Sequence, residues 1–371
     1  MSTGETVLQL TGVSKLFGPV AAVSSASLEV RRGELFTLLG PSGCGKTTVL
    51  RLVAGLERPD AGEITLRGRI VASAERRLFV APHKRNLGMV FQSYAIWPHM
   101  TVFENVAYPL ALRGAKGAIV REKVTRVLDL VGLSGLETRS ATRLSGGQMQ
   151  RLALCRSLVY EPDLLLLDEP FSNLDAKLRE QMRVELKLLQ RRLGVTILFV
   201  THDQIEALSL SDRIAVMQRG RVEQVGLPRR LYEHPDSAFV RDFLGRTVVL
   251  HGHVAGGEPG ALTVKLDGPL AGRALTGRAA AGTTLGPDLE AHVAIRPEDI
   301  EVSADDAARP DGSTLPGVIE DVLFVGDRFE ARVVLGGEVR IRLPLPRVHE
   351  WRDGQRLQLG FPPQSVSVWP A

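Results

Sequence analysis

The stretch Gly40-Pro41-Ser42-Gly43-Cys44-Gly45-Lys46-Thr47-Thr48 decides how the rest of the chain is read. An apolar run, Leu35 to Leu39, leads into it, and helix-compatible residues, Val49 to Ala54, follow. Strand, glycine-rich loop and helix in that order make G-x-x-x-x-G-K-[ST] a phosphate site. Glycines at 40, 43 and 45 let backbone N–H groups turn inward without Cβ clashes. The amides and the helix N-terminus then face a polyphosphate. Lys46 can reach the β- and γ-phosphates, and the Thr47 hydroxyl can ligate Mg²⁺. A glycine-rich turn that happens to precede a lysine is the plainer alternative, and the flanking strand and helix speak against it.

At 371 residues the chain is too long for one ordinary core, so two domains are expected. It is 44% hydrophobic and 24% charged, the composition of a globular protein. No apolar run approaches bilayer-spanning length, so the chain is not expected to cross a membrane by itself. Met1 to Leu10 has neither a basic n-region nor an apolar h-region, which argues against secretion by that route. Two cysteines, Cys44 and Cys155, make no disulfide framework and fit a cytosolic home. The formal charge of +4 is spread through mixed-sign segments, and only 5% of residues are aromatic. Neither favours nucleic acid as a partner.

Working outward, Val7 to Val30 reads as short strands around turns at Gly12 and Gly18-Pro19. Phe17 within it is either a base-stacking aromatic or a packed hydrophobe. Glu63 to Val71 and Asn86 to Phe91 are further strand candidates. The basic stretch Glu75 to Arg85 between them is expected to face water. Gln92 follows a strand end, at the edge where open parallel sheets place ligands, so it is a candidate for Mg²⁺ or the attacking water. Tyr94, Ile96, Trp97 and Met100 make an apolar loop that is core packing or a partner's docking patch. Val120 to Val131 has helical spacing. Leu144-Ser145-Gly146-Gly147-Gln148 then opens a helix over Met149 to Tyr160, with Ser145 as N-cap and two glycines exposing the first amides. That makes a second anion-binding helix start.

Leu164 to Leu167 predicts a buried strand with Asp168 and Glu169 at its exit. Adjacent carboxylates there are costly to bury without a cation. Asp168 suits Mg²⁺, and Glu169 suits orienting and polarising a water. Ser172 to Asp175 either caps the next helix or has a functional role. Ala176 to Leu193 is an amphipathic helix with apolar residues at 178, 182, 186, 189 and 193. Val195 to Val200 is another apolar strand, with His202 at its exit as a γ-phosphate contact. Ile214 to Met217 and Val222 to Val225 flank an Arg219-Gly220 hairpin turn.

Five motifs in this order resemble the ATP-binding-cassette ATPases: the Walker A loop at 40–47, Gln92, the signature Leu144 to Gln148, the acids 168 and 169, and His202. The resemblance spans roughly residues 5–240. Met149 stands where glutamine is common and Ile205 where an acid is usual. The family implies an α/β P-loop NTPase, a RecA-like core with an antiparallel β subdomain and a helical subdomain at about 93–160. It also implies a head-to-tail homodimer in which Ser145 and Gly147 of one copy cover ATP on the Walker A loop of the other. Residues Gly40 to Thr48 and Ser145 to Gln148 would then bind nucleotide, with Phe17 stacking. Lys46, Gln92, Glu169 and His202 would act in catalysis, and Thr47, Gln92 and Asp168 would hold Mg²⁺. Tyr94 to Met100 resembles the segment that docks on a membrane subunit.

From about Arg246 the helical periods stop and short alternating strands take over, so 1–242 and 243–371 are the expected domains. Val293 to Ile295, Val318 to Glu320, Phe329 to Leu335 and Val339 to Leu343 read as a small all-β domain, with a barrel among the architectures open to it. Arg296-Pro297-Glu298-Asp299 resembles a motif of the OB-like C-terminal domain of import-type transport ATPases. Those work at the cytoplasmic face of the membrane with separate permeases and, indirectly, a solute-binding protein. Gln92 to Met100, with Trp97, leans toward the ferric-iron and polyamine members, and ferric iron is the expected solute, with polyamine as the first alternative. Sugar and phosphonate importers are alternatives. Ser303 to Pro316 reads as a loop. A cassette ATPase acting on ribosomes or DNA is the competing class; one Walker A motif and no long heptad run disfavour it.

Overall fold

The computed structural model describes residues 4–303 and 313–371, and the chain divides into two compact units, Met1–Arg229 and Arg230–Ala371. In the first, β1 (Thr6–Phe17) and β2 (Val20–Arg31) form a long hairpin, and β3 (Leu35–Leu39) runs into α1 (Lys46–Ala54). Then come β4 (Ala61–Leu66), β5 (Arg69–Ser73), β6 (Leu78–Phe79) and β7 (Leu87–Val90). Three helices follow, α2 (Val102–Leu112), α3 (Ala118–Leu130) and α4 (Gly146–Leu158). The chain returns through β8 (Leu164–Asp168), α5 (Ala176–Leu193), β9 (Ile197–Thr201), α6 (Gln204–Leu210), β10 (Arg213–Gln218) and β11 (Arg221–Gly226).

These strands make two sheets, ordered β2-β1-β4-β5-β6 and β11-β10-β3-β9-β8-β7. In the second, β7, β8, β9, β3 and β10 run parallel, which is why they read as unbroken apolar runs. Leu164 to Leu167 are all buried, and the five residues of β9 are buried too. At about 1.5–3 kcal/mol per buried leucine, this strand fixes where the acids at its end emerge. Helices α2, α3 and α4 share their own apolar cluster around Val106, Leu128 and Leu152.

The segment 7–30 is one hairpin of two 12-residue strands; Gly12 lies at a break in register between Leu10 and Val13 and does not end a strand. Glu63 to Val71 is two strands. Arg67 and Gly68 both have positive φ, 46° and 73°, and turn the chain between β4 and β5, as a tight hairpin requires. The basic stretch 75–85 does not wholly face water. Arg85 is 4% exposed and donates to the carbonyls of Leu52, Val53, Val71 and Val80. It thereby answers the free carbonyls at the end of α1, and burial brings its pKa down to about 10.

In the second unit α7 (Pro228–Glu233), which begins just before it, and α8 (Ala238–Phe243) precede β12 (Val248–Glu258), β13 (Ala261–Leu266), β14 (Ala274–Ala279) and β15 (Glu290–Ile295). Next are β16 (Glu301–Ser303), β17 (Thr314–Phe324), β18 (Arg328–Leu335), β19 (Val339–Pro346), β20 (Arg356–Gly360) and β21 (Ser367–Pro370). β12-β13-β14-β21-β15 close into a barrel, and β16-β20-β17-β18-β19 form a second sheet. One apolar cluster, including Val264, Val333, Leu359 and Phe361, serves both. Of the predicted loop Ser303 to Pro316, residues 304–312 lie outside the described residues, while Thr314 to Pro316 belong to β17; alternate residues Val318 outward and Ile319 inward mark it as a half-buried strand.

Candidate nucleotide site

The loop between β3 and α1 closes on its own lysine. Lys46 is 4% exposed, and its Nζ donates to the carbonyls of Gly40 (2.8 Å) and Pro41 (2.9 Å) and lies 3.7 Å from Cys44 Sγ. Phosphate oxygens are stronger, charged acceptors for the same donors. Gly45 precedes α1 at φ 103°, with no side-chain cap. A Cβ on it would lie 2.2 Å from the Ala22 carbonyl oxygen. The Gly220 N–H of the β10–β11 turn donates to the Cys44 carbonyl (3.0 Å) and braces the loop from the far side. Burial pushes the Cys44 thiol up, against the pull of Lys46.

Asp168 arrives from β8. Thr47 Oγ1 donates to its Oδ1 at 3.1 Å. Burial raises the Asp168 pKa, opposed by the Thr47 hydrogen bond and reinforced by Glu169. A hydroxyl and a half-desolvated carboxylate facing one another beside a phosphate loop suit a hard cation. Among the described residues no group of three or more His, Cys, Asp or Glu forms a metal cage. Mg²⁺ keeps several waters and takes phosphate oxygens as ligands.

Glu169 has φ 43°, left-handed for a non-glycine residue, a conformation that costs on the order of 1–3 kcal/mol. Its N–H donates to the Val200 carbonyl (2.9 Å), and Ser172 Oγ donates to its carbonyl (3.0 Å). Its Oε2 lies 3.1 Å from His202 Nδ1. His202 follows β9, and β9 lies between β3 and β8, so Thr47, Asp168, Glu169 and His202 leave neighbouring strand ends together. Gln92 is exposed just past β7, the strand beside β8. Its carbonyl accepts from Asn173 Nδ2 (2.9 Å).

The signature stands on α4. Ser145 and Gln148 form a capping box, Ser145 N–H to Gln148 Oε1 at 3.0 Å and Gln148 N–H to Ser145 Oγ at 3.4 Å. Gly147 packs against α5, and a Cβ there would be 3.1 Å from Leu178 Cδ1. Phe17 ends β1 and is 48% exposed, with the Lys15 ammonium 5.3 Å from its ring.

Two residues that the sequence reading did not single out hold the loop after Gln92. Asn105, buried on α2, accepts from Trp97 N–H (3.0 Å) and donates to the Trp97 carbonyl (3.1 Å). Arg156, on α4, donates to the Tyr94 and Ala95 carbonyls and lies 4.6 Å over the Trp97 ring. The only sequence signal was a polar side chain amid the apolar face Val102, Val106 and Leu110. Tyr94 itself is buried, whereas Phe91, Trp97, Tyr108, Leu112 and Tyr160 line a groove of about 580 Å³.

A glycine-rich loop with a buried lysine, followed on the adjoining strands by two acids and a histidine, defines a P-loop nucleotide hydrolase. The family described as ABC transporter matches residues 23–172 and the TOBE domain matches residues 293–369. The spermidine/putrescine import ATP-binding protein PotA of Methylococcus capsulatus is 47% identical over 375 residues, covering 99% of this chain and 93% of its own. PotA of Chromobacterium violaceum is 46% identical, covering 86% of each chain. The trehalose/maltose import ATP-binding protein MalK of Thermococcus litoralis is 53% identical over 238 residues, and the match spans 64% of each chain. Among solved structures, cbiO1 of Clostridium perfringens, part of the ABC transporter complex cbiONQ, is 26% identical with a TM-score of 0.56, covering 61% of this chain and 90% of its own. The chain belongs to the ABC transporter family as an import-type ATP-binding subunit, a P-loop ATPase followed by an OB-like TOBE domain. Such subunits are ATPases coupled to transport. Among the described residues no helix is long and apolar enough to cross a membrane. None of these relatives carries ferric iron in its name, and that choice of solute gains no support from them.

Proposed function

We propose that this chain hydrolyses ATP with Mg²⁺ to drive polyamine uptake, as a homodimer seated on permease subunits at the cytoplasmic face of the membrane. The observation that carries the chemistry is the convergence of Lys46, Thr47, Asp168, Glu169 and His202 at adjoining strand exits. Lys46 and the α1 amides grip the β- and γ-phosphates. Thr47, Asp168 and Gln92 hold the metal, which neutralises phosphate charge. Glu169 orients and deprotonates the attacking water, and His202, through Nδ1, holds that carboxylate beside the γ-phosphate. Ser145 and Gly147 of a second copy cover the nucleotide. The groove beside Trp97 and Tyr108 receives the permease. A polyamine as solute is supported by likeness to the PotA proteins along 86–99% of this chain. The MalK likeness, over 64%, favours a sugar as the second reading.

Glu169→Gln should retain ATP binding while turnover falls by about 10²–10⁴-fold; turnover near the native rate would remove Glu169 from its role. In cells lacking this chain, the native protein should restore labelled spermidine uptake and Glu169→Gln should not. Restored maltose uptake in place of spermidine would install the second reading.

A further inference from the structure

The run Thr201-His202-Asp203-Gln204-Ile205-Glu206 leaves the end of β9 and enters α6. Its last residue is a carboxyl only 3% exposed. A buried carboxylate is costly unless the protein answers it. Two ordinary answers do not apply. Arg179 of α5 pairs with Asp203 Oδ2 (3.6 Å) and not with Glu206. The start of α6 is already capped by Asp203, whose Oδ1 accepts from the Ile205 N–H (2.8 Å) and the Glu206 N–H (3.1 Å).

What Glu206 Oε2 accepts is the Thr201 hydroxyl, at 2.6 Å. That is the short distance of a hydrogen bond to an ionised oxygen. Burial raises the Glu206 pKa, and the Thr201 hydroxyl opposes the rise. Thr201 Oγ1 in turn accepts from the Asp203 N–H at 3.0 Å. Donating to Glu206 decides which way the hydroxyl turns its lone pairs toward that N–H. The residues on both sides of His202 are therefore clasped to each other by one hydroxyl, and one carboxylate aims it.

The His202 side chain is 52% exposed, so packing alone does little to hold it. Its rotamer follows from the backbone that carries it. Glu206, His202 and Glu169 border one cavity of about 80 Å³, which places the clasp directly behind the His202–Glu169 contact. We infer that Glu206 is a positioning residue for ATP hydrolysis: through the Thr201 hydroxyl it fixes the backbone at His202 and so keeps Nδ1 against Glu169. The inference rests on the role proposed above for His202.

ATPase kinetics of the full chain test it. Glu206→Ala should lower kcat about 10- to 100-fold, the effect of a small misplacement at the site. KM should stay within about threefold, since the phosphate loop is untouched. Thr201→Val, which removes the hydroxyl and keeps the shape, should act alike. Glu206→Gln, whose amide oxygen still accepts from Thr201, should bring kcat back to within about threefold of native. With His202→Ala in place, adding Glu206→Ala should change kcat by less than about twofold, because residues acting as one unit are not additive. Circular dichroism checks folding, and where Glu206→Ala does not fold, Thr201→Val takes its place throughout. A native rate in His202→Ala would remove the reading on which the inference stands. With His202→Ala impaired, the inference alone is overturned if folded Glu206→Ala turns over at the native rate, if Glu206→Gln falls as far, or if the two losses multiply.

Discussion

Two helices of the first unit begin on glycine-rich turns, and their starts are built differently. At α1 the residue before the helix is Gly45, left-handed and without a side-chain cap. At α4 it is Ser145, locked with Gln148 in a reciprocal capping box. The first leaves its orphan amides open to whatever acceptor enters the loop, which is what an anion site needs. The second has already answered two donors from within the chain. The glycines differ as well. Gly45 is required because a backbone carbonyl, that of Ala22, sits where a Cβ would go. Gly147 faces only the tip of the Leu178 side chain. Glycine near a helix start thus means backbone geometry in one place and close helix packing in the other. In the proposed dimer the α1 end is the primary phosphate grip and the α4 end a lid supplied by a second copy.

The sharpest break between the two should come from adding one methyl to each. Gly45→Ala combines a forbidden φ with a 2.2 Å clash against backbone, and calorimetry should find no nucleotide binding in it. Gly147→Ala asks a leucine tip to move, so its melting curve should shift by less than about 1 kcal/mol equivalent. Equal damage from both would erase the distinction. A smaller effect is expected at Lys46. Lys46→Ala removes a charged donor worth about 1.5–3 kcal/mol, so ATP affinity should drop roughly 10- to 100-fold by fluorescent-nucleotide titration. An unchanged affinity would mean the closed loop never releases its lysine to phosphate. The smallest is at Ser145. Ser145→Ala should cost about 1 kcal/mol of stability as a lost cap and leave ATP affinity untouched at dilutions where the chain is monomeric. A fall in affinity there would make α4 a grip within its own chain.

The parallel sheet was legible because burial on both faces leaves an unbroken apolar run at 35–39, 164–167 and 197–200. The place of the candidate site was legible because acids and a histidine stand just where those runs stop. The first hairpin was misjudged, since Gly12 carries a register break where a turn was expected. The 63–71 segment hid a two-residue turn at Arg67-Gly68. Arg85 looked like one more surface charge in a basic stretch. Only the fold shows four carbonyls converging on it from α1, β5 and the segment before β7. Asn105 and Arg156 escaped notice for the same reason, as their partners are backbone atoms that carry no sequence identity.

The amino-acid order alone determined the phosphate loop, the strand exits bearing Asp168, Glu169 and His202, and the change from helical to alternating periods near residue 246, because periodicity and motif spacing are local properties. What the tertiary structure decided is which strands lie side by side: β9 between β3 and β8 is what sets Glu169 Oε2 at 3.1 Å from His202 Nδ1 and Thr47 at 3.1 Å from Asp168. It also decided which arginines are buried and which of their donors, as at Arg241, lack an acceptor. Adjacency and desolvation depend on residues far apart in the chain, and no short window of sequence contains both partners.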